Sequence, residues 1–345
     1  MHRHAILYAL LSAALFGAST PLAKALVQDV DPLMLAGLLY AGSGVGLALW
    51  HLLRRASGAA PTAGVTRADR PWLAAAVVSG GIAGPALLMY GLQRTDASAA
   101  SLLLNLEAVF TAVLAWVVFR ENVDRRVLLG MLAIVAGGAV LSAGHLAFPL
   151  GALIIAAACL CWALDNNFTR RVSGGDAVVL AALKGLVAGP VNLALAWSQG
   201  APLPGLGTTA AILALGLAGY GISLVLFIVA LRHLGTARTS AYFSVAPFFG
   251  AALALLLLGE PAGPAFWVAA ALMAAGVWLH VSERHVHEHG HEPLLHEHEH
   301  VHDEHHRHRH DAAWDGREPH THAHRHSALR HRHPHYPDLH HRHTH

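Results

Sequence analysis

The chain has 345 residues, of which 54% are hydrophobic and only 13% charged, and it carries a formal net charge of +2 at pH 7. That balance excludes a nucleic-acid-binding role driven by charge and is too apolar for an ordinary soluble domain. The average also conceals a division, because 23 of the 29 histidines fall within residues 283–345.

Residues 1–4 are a short basic start, and an apolar run follows over about 5–27. With small residues at Phe16-Gly17-Ala18 the run has the outline of a signal peptide. It continues past that point and completes a repeat, so an uncleaved span is expected. Further apolar runs lie near 33–53, 71–92, 97–119, 125–142, 149–170, 177–197, 207–230, 237–258 and 264–281. Each approaches the ~20 residues that a helix needs to cross a bilayer. The fold class expected is therefore all-α, a polytopic membrane protein of ten transmembrane helices, with a disordered tail. Cys159 and Cys161 share one run at a spacing that puts them on different helix faces. They read as two core thiols.

Two stretches, 90–121 and 229–260, align without a gap. Glu121 falls on Glu260, Phe110 on Phe249, Ser101 on Ser240 and Leu92 on Leu231, and Ala136-Gly137 falls on Ala275-Gly276. The chain divides accordingly into a first five-helix repeat over 1–142, a second over 143–282 and the histidine-rich tail over 283–345. An odd number of spans per repeat makes the second copy inverted. Loop charge agrees: Arg120, Arg125 and Arg126 follow the fourth span, whereas no Lys or Arg occurs over 259–264 after the ninth. Arg54, Arg55, Arg67 and Arg70, the pair Arg170 and Arg171, and Arg232 and Arg238 lie on the same side as that basic turn. Basic loops mark the cytoplasmic side. The sequence thus places both termini in the cytoplasm and the chain in the plasma (inner) membrane, with the lipid bilayer as its first partner. An inverted repeat of apolar spans is the mark of a secondary transporter.

The two Leu-rich spans ending in Glu121 and Glu260 resemble the ten-helix EamA-type permeases of the drug/metabolite transporter superfamily. So do the Ala-Gly pairs, and the aromatic-led ends Phe16-Gly17-Ala18-Ser19-Thr20-Pro21 and Trp162-Ala163-Leu164-Asp165-Asn166-Asn167. The likeness covers about 5–281. It implies two five-helix bundles around a cavity lined mainly by spans one, three, four, six, eight and nine, with alternating access driven by a gradient. One departure stands out. Pro247 aligns with Ala108, and beside them Ala246 of span nine aligns with Glu107 of span four.

Glu107 is the leading candidate for substrate binding or ion coupling. It lies ten residues into its span, ~15 Å deep at 1.5 Å per residue. A carboxylate there costs at least ~2.5 kcal/mol on insertion scales, so it must be protonated, paired or wet. The other reading is a carboxyl bonded to a neighbouring helix. Asn105 is two residues away on another face. Lys184, eight residues into span seven, differs from Glu107 in depth by roughly 6 Å and is expected either to pair with it or to snorkel to the headgroups. Asp165 faces a vestibule or caps an interface. Asn192 reads as interhelical glue, and Glu121 and Glu260 as helix-end residues. The breaks at Thr20-Pro21 and Gly84-Pro85 either kink their spans or open backbone carbonyls to a cavity.

In the tail, histidine alternates with charged or small residues. Eight Lys/Arg against eleven Asp/Glu give −3 with neutral imidazoles, and 23 protonated histidines raise that to +20. Candidate metal ligands are His285, His287, His289, His291, His296, His298, His300, His302, His306, His308 and His310. Neutral imidazole suits Zn, Ni, Cu and Co ions. No cofactor is required for the membrane part.

The function expected is a secondary transporter, an exporter of a small metabolite or drug-like solute, with a metal-binding or metal-sensing tail. The alternatives are a divalent transition-metal (Zn/Ni/Co) exporter and a membrane-anchored metal-storage protein. No phosphate loop, HExxH motif or nucleophile–base pair suggests an enzyme. The sequence leaves a homodimer open.

Overall fold

In a computed structural model of the chain, the residues described are 2–57, 66–67, 69–119, 125–142, 150–172, 176–234, 239, 242–281, 286–291, 295–300, 320–325 and 329–334. Residues Met1–Glu283 form one unit and Arg284–His345 another.

Among the described residues, helix is found in each apolar run that the sequence marks out. Spans one and two are His2–Val27 and Pro32–Ala56. Span three is continuous over Arg70–Leu92, and span four comprises Ala97–Leu103 and Leu106–Phe119. Spans five to seven are Arg125–Ser142, Leu150–Val172 and Ala177–Ser198. Span eight runs from Leu206 to Leu234, span nine includes Ala246–Leu258, and span ten is Pro264–Val281. Seven of the described helices are long and apolar enough to cross a membrane, and Ala246–Leu258 and Pro264–Leu279 are shorter apolar helices. Their outward faces are apolar, with Leu206 90% and Leu256 81% exposed, a surface that suits lipid and not water.

Packing follows the inverted repeat. Span two lies chiefly on span seven, and span five on span ten. Span one packs on spans eight and nine, just as span six packs on spans three and four. The two–seven crossing depends on small residues. A methyl group on Gly44 or Gly185 would run into the backbone of the other helix, so the chains approach as closely as glycine permits. Asp31 starts span two by accepting from the Leu33 and Met34 N–H groups at 2.9 and 3.1 Å. Asp176 starts span seven in the same way through Val178 at 2.8 Å.

The irregular turns are repeated too. Span three widens into a π-helix over Val77–Ala83 and span eight over Leu217–Ile222. Span four breaks at Leu104-Asn105 and span nine at Ser244-Val245. In the alignment 104 falls on 243 and 105 on 244, so the two breaks agree to one residue. Both cysteines are free, Cys159 buried and Cys161 partly so, as the spacing implied.

In the tail unit, strands Val286–His291 and Leu329–Pro334 pair antiparallel, as do Leu295–His300 and His320–Arg325. Alternation with period two is the pattern of a strand, and two-stranded ladders are marginal on their own. The register sets His287 opposite His333 and His289 opposite His331. It also sets His296, His298 and His300 opposite His324, His322 and His320. Candidate ligands His285, His302, His306, His308 and His310 lie outside the described residues, as does Glu121.

Candidate functional site

Pro85 organises the site. In the π-helical turn the Gly84 N–H donates to the Ser79 carbonyl, five residues back. The next carbonyl in that pattern, Gly80, would need an N–H from residue 85, and proline has none. The orphan acceptor is satisfied from other spans. The Tyr40 hydroxyl of span two donates to it at 2.8 Å and the Trp162 indole N–H of span six at 3.0 Å. Asn192 of span seven donates to the neighbouring Gly81 carbonyl at 3.4 Å, in keeping with the glue expected of it. The Gly84-Pro85 break thus opens the Gly80 carbonyl into the protein, where spans two and six meet it.

Against Gly80 lies Asp165 of span six. A Cβ at residue 80 would collide with its carboxylate. Lys184 donates to both Asp165 oxygens, at 2.7 and 2.5 Å, and Thr169 donates to Oδ1 at 2.9 Å. The side chains of Lys184 and Asp165 are only 13% and 9% exposed. This corrects the expectation for Lys184, which neither pairs with Glu107 nor snorkels. It also corrects the expectation for Asp165, which is the anchor of an internal ion pair. Depth along a helix gives no azimuth. Asp165 and Lys184 each stand seven residues from the turn that joins spans six and seven, and a helical hairpin brings such residues to one level.

Glu107 stands in the second segment of span four, just past its break, and accepts from the Asn166 amide at 2.7 Å. It lies in the field of both Asp165 and Lys184. No cation is bonded to it among the described residues. Asn105 turns instead into the break, where its amide donates to the Leu102 carbonyl at 3.0 Å, and it is buried. The arrangement therefore brings together Glu107, Asp165 and Lys184, with Asn166 as the bridge, and sets Asn105 apart as a local cap. Aromatic rings join the neighbouring spans: Phe16 meets Trp162, Tyr220 and Phe243 edge-on or tilted, and Tyr40 meets Tyr220.

The cluster breaks the symmetry of the fold. Asp165 aligns with Ser19, and Glu107 with Ala246. Ser19 packs against Gly219 just as Asp165 packs against Gly80. The same scaffold therefore appears twice, and only one copy of it carries acidic side chains at these positions.

Two stretches of the chain, 3–143 and 149–282, match the EamA-like transporter family. The chain belongs to that family. A transporter of Methanothermobacter thermautotrophicus described as uncharacterized is 27% identical over 282 residues, 76% of this chain and 82% of its own length. A probable terminal-alkyne amino-acid exporter of Streptantibioticus cattleyicolor is 28% identical over 216 residues, 61% of this chain and 73% of its own. The probable 4-amino-4-deoxy-L-arabinose-phosphoundecaprenol flippase subunit ArnE of Pseudomonas paraeruginosa is 39% identical over 114 residues. That match covers 32% of this chain and 93% of the flippase subunit. A solved crystal structure superposes with a TM-score of 0.60 at 20% identity, covering 81% of this chain and 98% of its own, and shares the fold. The EamA-like permease is thus an integral membrane protein of a small-solute transporter family.

Proposed function

We propose that this EamA-like permease exports a small, amine-bearing solute across the plasma membrane by secondary transport, and that Glu107 is the group on which solute and coupling cation compete. The observation that carries the reading is the Glu107 carboxylate, deep in span four and held by one neutral amide, while the nearby lysine is committed to Asp165. Among the described side chains two carboxylates and one ammonium leave that region one cation short, and a site inside a membrane takes up a proton or a bound cation to make good such a deficit. The names of two relatives support the amine, one an amino-acid exporter and the other a flippase subunit for an amino-sugar lipid. Transport into inverted vesicles, screened over amino acids and amines under an imposed pH gradient, tests the reading. Glu107→Gln is expected to insert and fold normally and to lose gradient-driven uptake. Full uptake by that variant would reduce Glu107 to a packing residue.

The tail has its own proposed role, transition-metal binding, and the support for it is the density of histidines and their pairing in the strand register. Removal of 283–345 is expected to abolish Zn, Ni, Co and Cu binding by the purified protein while solute transport continues. Metal as the transported cargo has less behind it, since among the described residues no three His, Cys, Asp or Glu side chains group as a metal site. A metal store would leave the inverted repeat without a task.

A further inference from the structure

Span four begins without a cap of its own. Asp96 precedes it in extended conformation, yet its side chain makes no capping bond. The N–H groups of Ala97 and Ser98 are buried, and the opening donors of a helix find no partner within it. Their partner comes from the other repeat. At the end of span nine the chain turns through Gly259 in the left-handed region, φ 63°, and this turn delivers Glu260. The two Glu260 carboxylate oxygens accept from Ala97 at 2.7 Å and from Ser98 at 2.8 Å. A carboxylate on two helix-starting N–H groups is a charge-assisted cap at the positive end of the helix dipole. One turn below, Ser101 of span four meets Gly250 of span nine so closely that a Cβ on the glycine would lie 2.7 Å from the Ser101 hydroxyl. Ser101 is 1% exposed.

On the same face of the fold, the Lys24 ammonium of span one donates to the Leu92 carbonyl that ends span three, at 2.6 Å. That bond joins two spans of one repeat. The Glu260 cap differs because it crosses between repeats, and it holds the span on which Glu107 rides. Movement of one repeat against the other on this face must therefore break it or carry span four along.

We propose that Glu260 is a latch. It is a positioning residue whose carboxylate holds the start of span four while the face bearing the 93–96 and 259–263 turns is closed, and releases it when that face opens. The proposal rests on the reading of the chain as an alternating-access transporter but not on the role of Glu107 or the identity of the solute, because its test measures access and not transport.

The test uses the full chain in membrane vesicles. Cys159→Ser and Cys161→Ser remove the two native thiols, and Ser101→Cys places a reporter under the latch. A second reporter, Ser43→Cys, is buried in span two and watches for general loosening. The probe is a membrane-impermeant maleimide applied to the side that carries the 93–96 turn. With Glu260 intact, both reporters are expected to label slowly. Glu260→Gln, which keeps one acceptor oxygen but loses the charge, is expected to speed labelling of Ser101→Cys by several fold and leave Ser43→Cys unchanged. Glu260→Asp, which keeps the charge on a shorter arm, should fall between. An unchanged Ser101→Cys rate in both variants overturns the latch. Should Glu260→Gln expose both reporters, Glu260→Asp is read on the same pair. Exposure of both there as well would make Glu260 a residue of general stability and overturn the latch equally.

Discussion

Lys184 and Asp165 show how little room one residue has in this interior. Removing one partner of a buried ion pair leaves the other charged and unpaired, at a cost of about 3–5 kcal/mol. Lys184→Met is therefore expected to lower the thermal midpoint of the purified protein sharply. Lys184→Met combined with Asp165→Asn is expected to recover most of the loss, because the pair is then replaced and not broken. Full destabilisation in the double variant would mean that Lys184 acts by packing alone. Gly80→Ala belongs to the same measurement, since its methyl would press on the Asp165 carboxylate, and it should destabilise although alanine suits a helix better. Glu107 was legible in the sequence as an acid inside an apolar run. Its partner Asn166 was not, and the partner of Lys184 was misplaced, because depth arithmetic set Lys184 near Glu107 and gave no direction around the helix. Equal distances from the turn between spans six and seven were the signal that would have led to Asp165.

The π-helical turn of span three works as an element. Tyr40 and Trp162 share one acceptor, Gly80, so either can be lost while the carbonyl stays satisfied. A typical hydrogen bond contributes about 0.5–1.5 kcal/mol, and a buried acceptor left bare costs about 1–3 kcal/mol. Tyr40→Phe and Trp162→Phe should each cost little in chemical or thermal denaturation, and together they should cost more than the sum. Pro85→Ala returns an N–H to the turn and is expected to lessen the cost of the double change. Strict additivity would show that the Gly80 carbonyl is not the shared object. The Gly84-Pro85 pair announced an interruption in the sequence. It could not announce the donors, which come from spans two and six, at a distance of 40 residues on one side and 82 on the other. The ten helical runs, by contrast, were plain from composition alone, because a span must be apolar along its whole length.

For the whole molecule, the inverted repeat predicts sidedness. Reporter fusions at Ser57 and Pro204 should report the cytoplasm and the exterior respectively, and a single side for both would reject the inversion. The repeat was visible in the sequence through Glu121 and Glu260, yet the task of Glu260 was not, since a helix-end residue of span nine gives no sign that it caps span four. The two copies share their bends and π turns, but Asp165 and Glu107 stand where the other copy has Ser19 and Ala246. The two copies are therefore unlike in charge at equivalent positions. Carrying one elementary charge across the whole potential is worth about 2.3 kcal/mol per 100 mV, and a carboxylate shifted through part of that field feels part of that work. Turnover should consequently follow an imposed K⁺ diffusion potential even for an uncharged solute, and Glu107→Gln should weaken that dependence. On the proposed role of Glu107, the asymmetry of the two copies would give the membrane voltage a charge to act on.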